Sequence, residues 1–285
     1  MAATNDARCE ELVLKAQKHL KKSFFSSPDP QAAGELYEKA ANLYKLDKNW
    51  EKAGEMLERF AECQDAEGST MGAARQYQAA ALSYKNGKLA AQTAAAFKKA
   101  VSRYLEDGKF SQAGKAMRDL AEIQEAAGQF VDAYSSITSA IDYLDTAHEP
   151  IGASQLKSKA AQLAVECGEF ANAAEYFESV AMAVTIPTSA VEPYFKAALC
   201  HLVAGDTVAT SKSIQRFAGQ SMDFARSPEF AFMDEAINAI DTSDHEAFQN
   251  ALKKYEQKNK LDAWKRKLVT RIASALPAEG EDQLL

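Results

Sequence analysis

Asp47-Lys48-Asn49-Trp50, Gly87-Lys88-Leu89, Gly108-Lys109-Phe110, Gly128-Gln129-Phe130 and Gly168-Glu169-Phe170 are five versions of one short phrase. Each has a helix-breaking residue, one or two polar residues, then a large apolar one. The phrase recurs at intervals close to 20 or 40 residues, and Gly68 and Pro150 fall on the same beat in weaker form. Glycine fits the left-handed position just past a helix end without steric cost, and the apolar residue pins the next helix as it starts. A break every 20 residues predicts helices of roughly 15 to 17 residues, about 25 Å long. A second signal has twice that period: Ala33, Ala73 and Ala113; Ala41, Ala81 and Ala121; Ala133 and Ala173. Two short helices per 40 residues, with alanine where backbones come closest, read as an all-α chain of stacked helical hairpins, an α-solenoid.

Outward from that stretch the rhythm persists and then loosens. Residues 5–22 read as a first helix, with Leu12, Val13, Ala16 and Leu20 on one stripe and Lys15, Lys18, Lys21 and Lys22 where cations suit the helix dipole. Repeats begin at Gln31, and helices are predicted near 50–66, 70–86, 89–107, 110–127, 130–146, 151–167 and 170–184. Tyr37, Tyr77, Tyr84, Phe97, Tyr104, Tyr134 and Phe177 alternate with the alanines, large into small, as a packed core and not a cofactor pocket. After Ile186-Pro187-Thr188 and Pro193, one helix runs through Phe195–Leu202 and another from about Val208 to Phe217. Gly219–Pro228 reads as a connection. Helices over 229–241, 244–258 and 261–276 carry Phe230, Phe232, Ile237, Phe248, Leu252, Leu261, Trp264, Leu268 and Ile272 for a compact bundle. The expected architecture is a right-handed α-solenoid of tetratricopeptide-like hairpins with about 14 helices. Residues 1–218 form the repeats, 219–277 a C-terminal helical bundle, and 278–285 an acidic, unpatterned tail.

Composition narrows the class. The chain is 47% apolar and 26% charged, with only 13 Gly and 7 Pro. No stretch approaches the roughly 18 uninterrupted apolar residues of a membrane span, and Met1–Glu11 is too polar for a secretory signal. Cys9, Cys63, Cys167 and Cys200 lie far apart, which points to reduced, buried thiols in a cytosolic protein and against a metal site. The four histidines (His19, His148, His201, His245) are isolated, and phosphate loops, nucleophile elbows and zinc motifs are missing from the sequence. No catalytic group and no cofactor is expected, so the chain reads as a non-enzyme. A net charge of −7 disfavours nucleic acid as a partner while leaving room for a local basic face.

Function is therefore sought on the surface. Lys45, Lys48, Lys85, Lys88, Lys109, Lys115, Arg118, Lys157 and Lys159 recur at corresponding places in successive repeats. In a solenoid such places line one face or edge, so they read either as a basic strip for a long acidic rod or as a solvated face of mixed charge. A second basic concentration, Lys253, Lys254, Lys258, Lys260, Lys265, Arg266, Lys267 and Arg271, is opposed locally only by Glu256 and Asp262. It reads as a solvated helix face or as a site for acidic lipid or partner. Phe24-Phe25, in a loop rich in Ser and Pro, either cap the core or project as an apolar tip toward a membrane or partner.

At particular residues the chain resembles a known family. Ser23-Phe24-Phe25-Ser26, Tyr37-x-x-Ala40-Ala41-Asn42-x-Tyr44-Lys45 running into Lys48-Asn49-Trp50-x-x-Ala53-Gly54, Tyr194-Phe195-Lys196-Ala197-Ala198-Leu199-Cys200-His201, Leu261-Asp262-x-Trp264 and an acidic tail ending in Leu284 resemble the soluble NSF attachment proteins, alpha-SNAP among them. The resemblance runs in order over essentially the whole chain. It implies an adaptor, cytoplasmic and peripherally associated with membranes. Such an adaptor grips the SNARE four-helix bundle, formed by syntaxin-, SNAP-25- and synaptobrevin-like proteins, and presents its C-terminal end to the hexameric ATPase NSF. By position it assigns Lys45, Lys48, Lys85, Lys109, Lys115, Lys157 and Lys159 to SNARE contact, and Phe24 and Phe25 to a membrane loop. Asp241, Glu279, Glu281, Asp282 and Leu284 are assigned to NSF. The chain departs from the family pattern at Gln155, near Thr188 and Val191, in a shorter loop after Phe25, and at Gln283. The alternative is a tetratricopeptide-like scaffold for another helical or peptide partner.

Overall fold

The computed structural model describes residues 2–21 and 27–276 of the chain. Among them are fifteen α-helices and one short 3-10 turn, with no strand. The helices are α1 (Ala2–Leu20), α2 (Pro30–Leu46), α3 (Trp50–Ala66), α4 (Thr70–Asn86), α5 (Ala90–Glu106), α6 (Phe110–Ala126), α7 (Phe130–Thr146) and α8 (Pro150–Cys167). There follow α9 (Phe170–Ala183), α10 (Val191–Val203), α11 (Thr207–Gln220), α12 (Met222–Ala225), α13 (Pro228–Asp241), α14 (His245–Glu256) and α15 (Ala263–Ser274). The helix beyond the expected fourteen is α12, a single turn inside the stretch read as a connection. The Ser221 hydroxyl caps it, accepting from the Phe224 amide at 3.2 Å. The chain divides into two compact units, one ending at Ala153 and the other beginning at Ser154.

The turns explain the beat. Left-handed backbone occurs at Lys48 (φ 55°), Gly68 (75°), Lys88 (59°), Gly108 (66°), Gly128 (74°), His148 (57°) and Gly168 (82°), one residue in every 20. After each, a backbone amide reaches five residues back to an orphan carbonyl: Asn49 to Tyr44 at 2.9 Å, Leu89 to Tyr84 at 3.0 Å, Lys109 to Tyr104 at 2.7 Å. This satisfies the helix end in the Schellman manner. In the phrase Gly87-Lys88-Leu89 it is Lys88 and not Gly87 that turns left-handed; Gly87 stays right-handed at φ −78°. Three of these seven places lack glycine, at a cost of about 1 kcal/mol each.

In the first unit α1 to α7 pack in order, each against the next. Odd-numbered helices are also tied side by side by ion pairs: Lys52 to Asp6 at 3.1 Å, Lys99 to Glu58 at 3.3 Å, Arg103 to Asp65 at 2.9 Å. Ala33, Ala41, Ala73, Ala81 and Ala113 are fully buried, with Tyr37, Tyr77, Tyr84, Phe97 and Tyr104 packed among them. Buried phenols keep partners, Tyr104 donating to the Gln78 carbonyl oxygen at 2.7 Å and Tyr77 to Asp65 at 3.4 Å. Gly54 of α3 lies under the Tyr84 ring of α4, where a Cβ would sit 2.6 Å from Cζ of that ring.

The second unit is organised around α10, which packs on α9, α11, α13 and α15. From Tyr194 to Cys200 this helix buries every residue except Lys196, which is half-buried. Aromatic rings gather on either side, Tyr194 stacked on Phe217 at 4.6 Å and Phe232 tilted on Tyr255 at 5.2 Å. Cys9, Cys63, Cys167 and Cys200 are all free thiols, and burial pushes that of Cys200 up to about 12, far from reactive thiolate.

Candidate functional site

Helices α2 to α7, of 17 residues each, are joined by short turns and run antiparallel, so successive turns alternate between two edges of the first unit. The α2–α3 and α4–α5 turns share one edge, where a Cβ added to Gly87 would meet Trp50 at 3.0 Å. The α6–α7 turn joins them, since Lys85 and Lys88 line a common groove with Ala126 and Ala127. Lys45, Lys48, Lys85 and Lys88 therefore belong together. Lys45 is half-buried and the other three are exposed.

Lys109, in the α5–α6 turn, belongs to the opposite edge, about 25 Å away along the length of one helix. Its ammonium lies 4.0 Å from Asp107. Lys115, in the second turn of α6, lies on that side too, with its ammonium 3.0 Å from the Ser111 hydroxyl and 4.0 Å from Glu149. What Lys45, Lys85 and Lys115 share is not an edge but a layer, because all three stand on even-numbered helices. Along the even layer they stand on α2, α4 and α6, the first two near one edge and Lys115 toward the other. Arg118 lies along α6 with its guanidinium 2.7 Å from Asp119 and 3.9 Å from Glu122. By contrast Lys52, Lys99 and Arg103, on odd helices, are engaged in the lateral pairs described above.

In the second unit Lys157 and Lys159 stand on α8, both half-buried, and Lys157 donates to the Ser179 hydroxyl of α9 at 3.2 Å. Gln155 on the same helix and Thr188 in the 3-10 turn are exposed, while Val191 opens α10 half-buried. Asp241 is exposed at the last turn of α13. A carboxylate there faces the negative end of the helix dipole, so it gains nothing from its own helix and is open to a basic partner. Phe24, Phe25, Glu279, Glu281, Asp282 and Leu284 lie outside the described residues.

The second basic concentration is largely paired. Lys265 is only 7% exposed and meets Glu192 at 2.9 Å and Asp262 at 3.4 Å. Lys267 reaches Glu166 at 2.7 Å, Arg266 reaches Glu256 at 2.8 Å, Lys254 pairs with Glu235, and the Arg271 guanidinium lies 4.7 Å over the Phe170 ring. Glu166, Glu192 and Glu235 are supplied from other helices, which no local count of charge reveals. His201, isolated in sequence, is not isolated in space. It contacts Glu178 at 2.9 Å, and Arg216 holds the other oxygen of that carboxylate at 2.6 Å. Among the described residues no group of three or more His, Cys, Asp or Glu side chains is arranged to hold a metal, and no helix is long and apolar enough to cross a membrane.

Stacked hairpins with charge distributed over a layer define a helical-repeat protein, a class whose binding elements are extended surfaces. A family model described as soluble NSF attachment protein, SNAP, matches residues 7–276. The chain is 27% identical over 288 residues to an alpha-soluble NSF attachment protein of Vitis vinifera, covering 99% of both. It is 31% identical over 257 residues to a probable vesicular-fusion protein sec17 homolog of Schizosaccharomyces pombe, covering 88% of both. Against the alpha-soluble NSF attachment protein of Homo sapiens the identity is 26% over 291 residues, 97% of both. The chain belongs to the soluble NSF attachment protein family.

Proposed function

We propose that this chain is an adaptor for SNARE disassembly in vesicle-mediated transport. It binds the assembled four-helix bundle of syntaxin-, SNAP-25- and synaptobrevin-like proteins and brings an NSF-type hexameric ATPase to it. The family match along residues 7–276 carries the reading. The bundle is gripped by the even-layer lysines Lys45, Lys85 and Lys115 with Lys48 and Lys109 at the two edges, and Lys157 and Lys159 extend the contact. Crossing the layer suits a rod laid obliquely over several helices, each lysine adding a modest, additive attraction. Phe24 and Phe25 touch the membrane surface and keep the protein peripherally associated. Residues 219–277 act as the C-terminal bundle whose Asp241, with Glu279, Glu281, Asp282 and Leu284, engages the ATPase.

The test is co-sedimentation with the assembled bundle and with single SNARE proteins, with and without NSF. Lys85→Glu with Lys115→Glu places repulsion at both ends of the strip. Each exposed pair alone is worth about 0 to 1 kcal/mol, so the loss expected is a sum, with thermal stability unchanged. Undiminished binding by the double variant removes this layer from the interface.

A further inference from the structure

Four residues occupy the same place in the 40-residue repeat, each opening an odd-numbered helix: Trp50, Ala90, Phe130 and Phe170. Three are large aromatics and one is alanine. Trp50 illustrates the use of the aromatic. It is half-buried, and its Cβ lies against the α4–α5 turn, where a Cβ added to Gly87 would meet it at 3.0 Å. One repeat further on, the equivalent position lies between the α4–α5 and α6–α7 turns, where Ala90 offers only a methyl group. A groove of about 740 Å³ opens there, walled by Leu89, Ala90, Ile123 and Ala126, with Lys85, Lys88 and Glu122 at its rim.

The groove is apolar below and basic above. Thr93, at its floor, donates its hydroxyl to the Leu89 carbonyl at 2.8 Å and so presents no free donor. Lys85 and Lys88 are exposed at the rim, and Lys45 and Lys48 stand on the adjoining turn of the same edge. Glu122, the one acid of the rim, has Arg118 at 3.9 Å to offset it. An apolar floor beneath lysines selects a large apolar side chain carried on an acidic segment.

We infer that this groove is an anchor site for the acidic helical partner. A large apolar side chain on the surface of the assembled bundle enters the groove beside Ala90, where the other repeats open their odd helix with an aromatic, and acids flanking it meet Lys85 and Lys88. The inference rests on the adaptor reading above and adds to it one desolvated contact that fixes where along the rod the protein sits.

The soluble assembled SNARE bundle, titrated into the full-length protein at several salt concentrations, tests this. Ala90→Trp fills the groove from within and alters no lysine. Affinity should fall about tenfold or more, the worth of one buried large apolar side chain. The salt dependence should keep its slope, since apolar contact is not screened. Ala126→Leu fills the opposite wall and should do the same, which guards against misfolding of the first variant; melting temperature should hold or rise in both. Lys85→Glu with Lys88→Glu should instead weaken binding and flatten the salt dependence. If both filled variants fold and bind as wild type while the lysine pair loses affinity, the anchor is overturned and the adaptor reading stands. If none of the three variants alters binding, the basic strip fails at this edge and the anchor falls with it. Loss of self-association in sedimentation, in place of bundle binding, would assign the groove to a second copy and overturn the proposal.

Discussion

In the first unit six successive helices, α2 to α7, share one length of 17 residues and meet through alanine set against tyrosine. In the second the helices from α9 on are shorter and unequal, and ions go inside. A repeat needs only one packing solution, reused, because each hairpin presents to the next the face it received. Its charges are left to the surface and to lateral pairs. The second unit has no such template. It closes on α10 with one-off contacts: Lys265 buried against Glu192, Lys196 lying 5.6 Å over the Trp264 ring, Glu178 held between His201 and Arg216. Buried ions add little net stability but tolerate few alternative arrangements, which suits a region whose packing is not repeated.

The largest effect separating the two units should come from Gly54→Ala. The added Cβ would sit 2.6 Å from Cζ of Tyr84, and neither a helix backbone nor a buried ring yields cheaply. A loss of about 3 kcal/mol is expected by thermal unfolding, at the upper end for overpacking. Tyr84→Leu should recover part of it in a double-mutant cycle. Additive losses in that cycle would mean that close α3–α4 approach does not hold the first unit together.

A smaller effect should appear with acid, and only in the second unit. Burial pushes the Glu178 carboxyl up, but hydrogen bonding to His201 and the charge of Arg216 outweigh it and hold the group below the usual carboxylate range. A depressed carboxylate contributes its stability above the unfolded value of about 4.3 and loses it as pH falls through the folded value. Glu178→Gln should cost about 1 to 2 kcal/mol near pH 7, in line with charged hydrogen bonds. That deficit should shrink toward zero as pH falls below about 4. Hydrogen exchange, read helix by helix, checks this: protection in α9 to α11 should follow pH, and protection in α3 to α6 should not. Equal acid sensitivity in both sets would erase the distinction.

The smallest effect tests the turns. His148 is left-handed at φ 57°, in the turn between α7 and α8. His148→Gly should raise stability by about 0.5 kcal/mol, relief of the left-handed strain being partly offset by the entropy of glycine in the unfolded chain. A decrease would show that the imidazole makes a contact worth more than the strain.

The repeat was legible because it is written locally. A break residue, the apolar residue after it and an alanine at every second helix all report on contacts within one or two helices. Lys48, Lys88 and His148 hid three of the left-handed positions, since only glycine advertises that conformation. The pairs of Lys265 with Glu192 and Lys267 with Glu166 join residues 73 and 101 apart, beyond any periodicity. For the same reason α15 looked like a basic patch. The candidate lysines were individually visible, but their division between two edges depends on counting turns, and the emptied aromatic place at Ala90 was masked by the apolar Leu89 beside it.

The left-handed residues at 48, 68, 88, 108, 128 and 148 make the first unit a structure that can be counted. Removing or inserting one whole hairpin with its turns returns every later side chain to its own edge and its own layer, so the array can lengthen or shorten without redrawing its surface. A change of a single helix and its turn would exchange odd helices for even, carrying Lys115 to the layer of Lys99. A slip of a few residues would misplace a cap. Length variation in such a chain is therefore quantised, and the unit of inheritance is the hairpin.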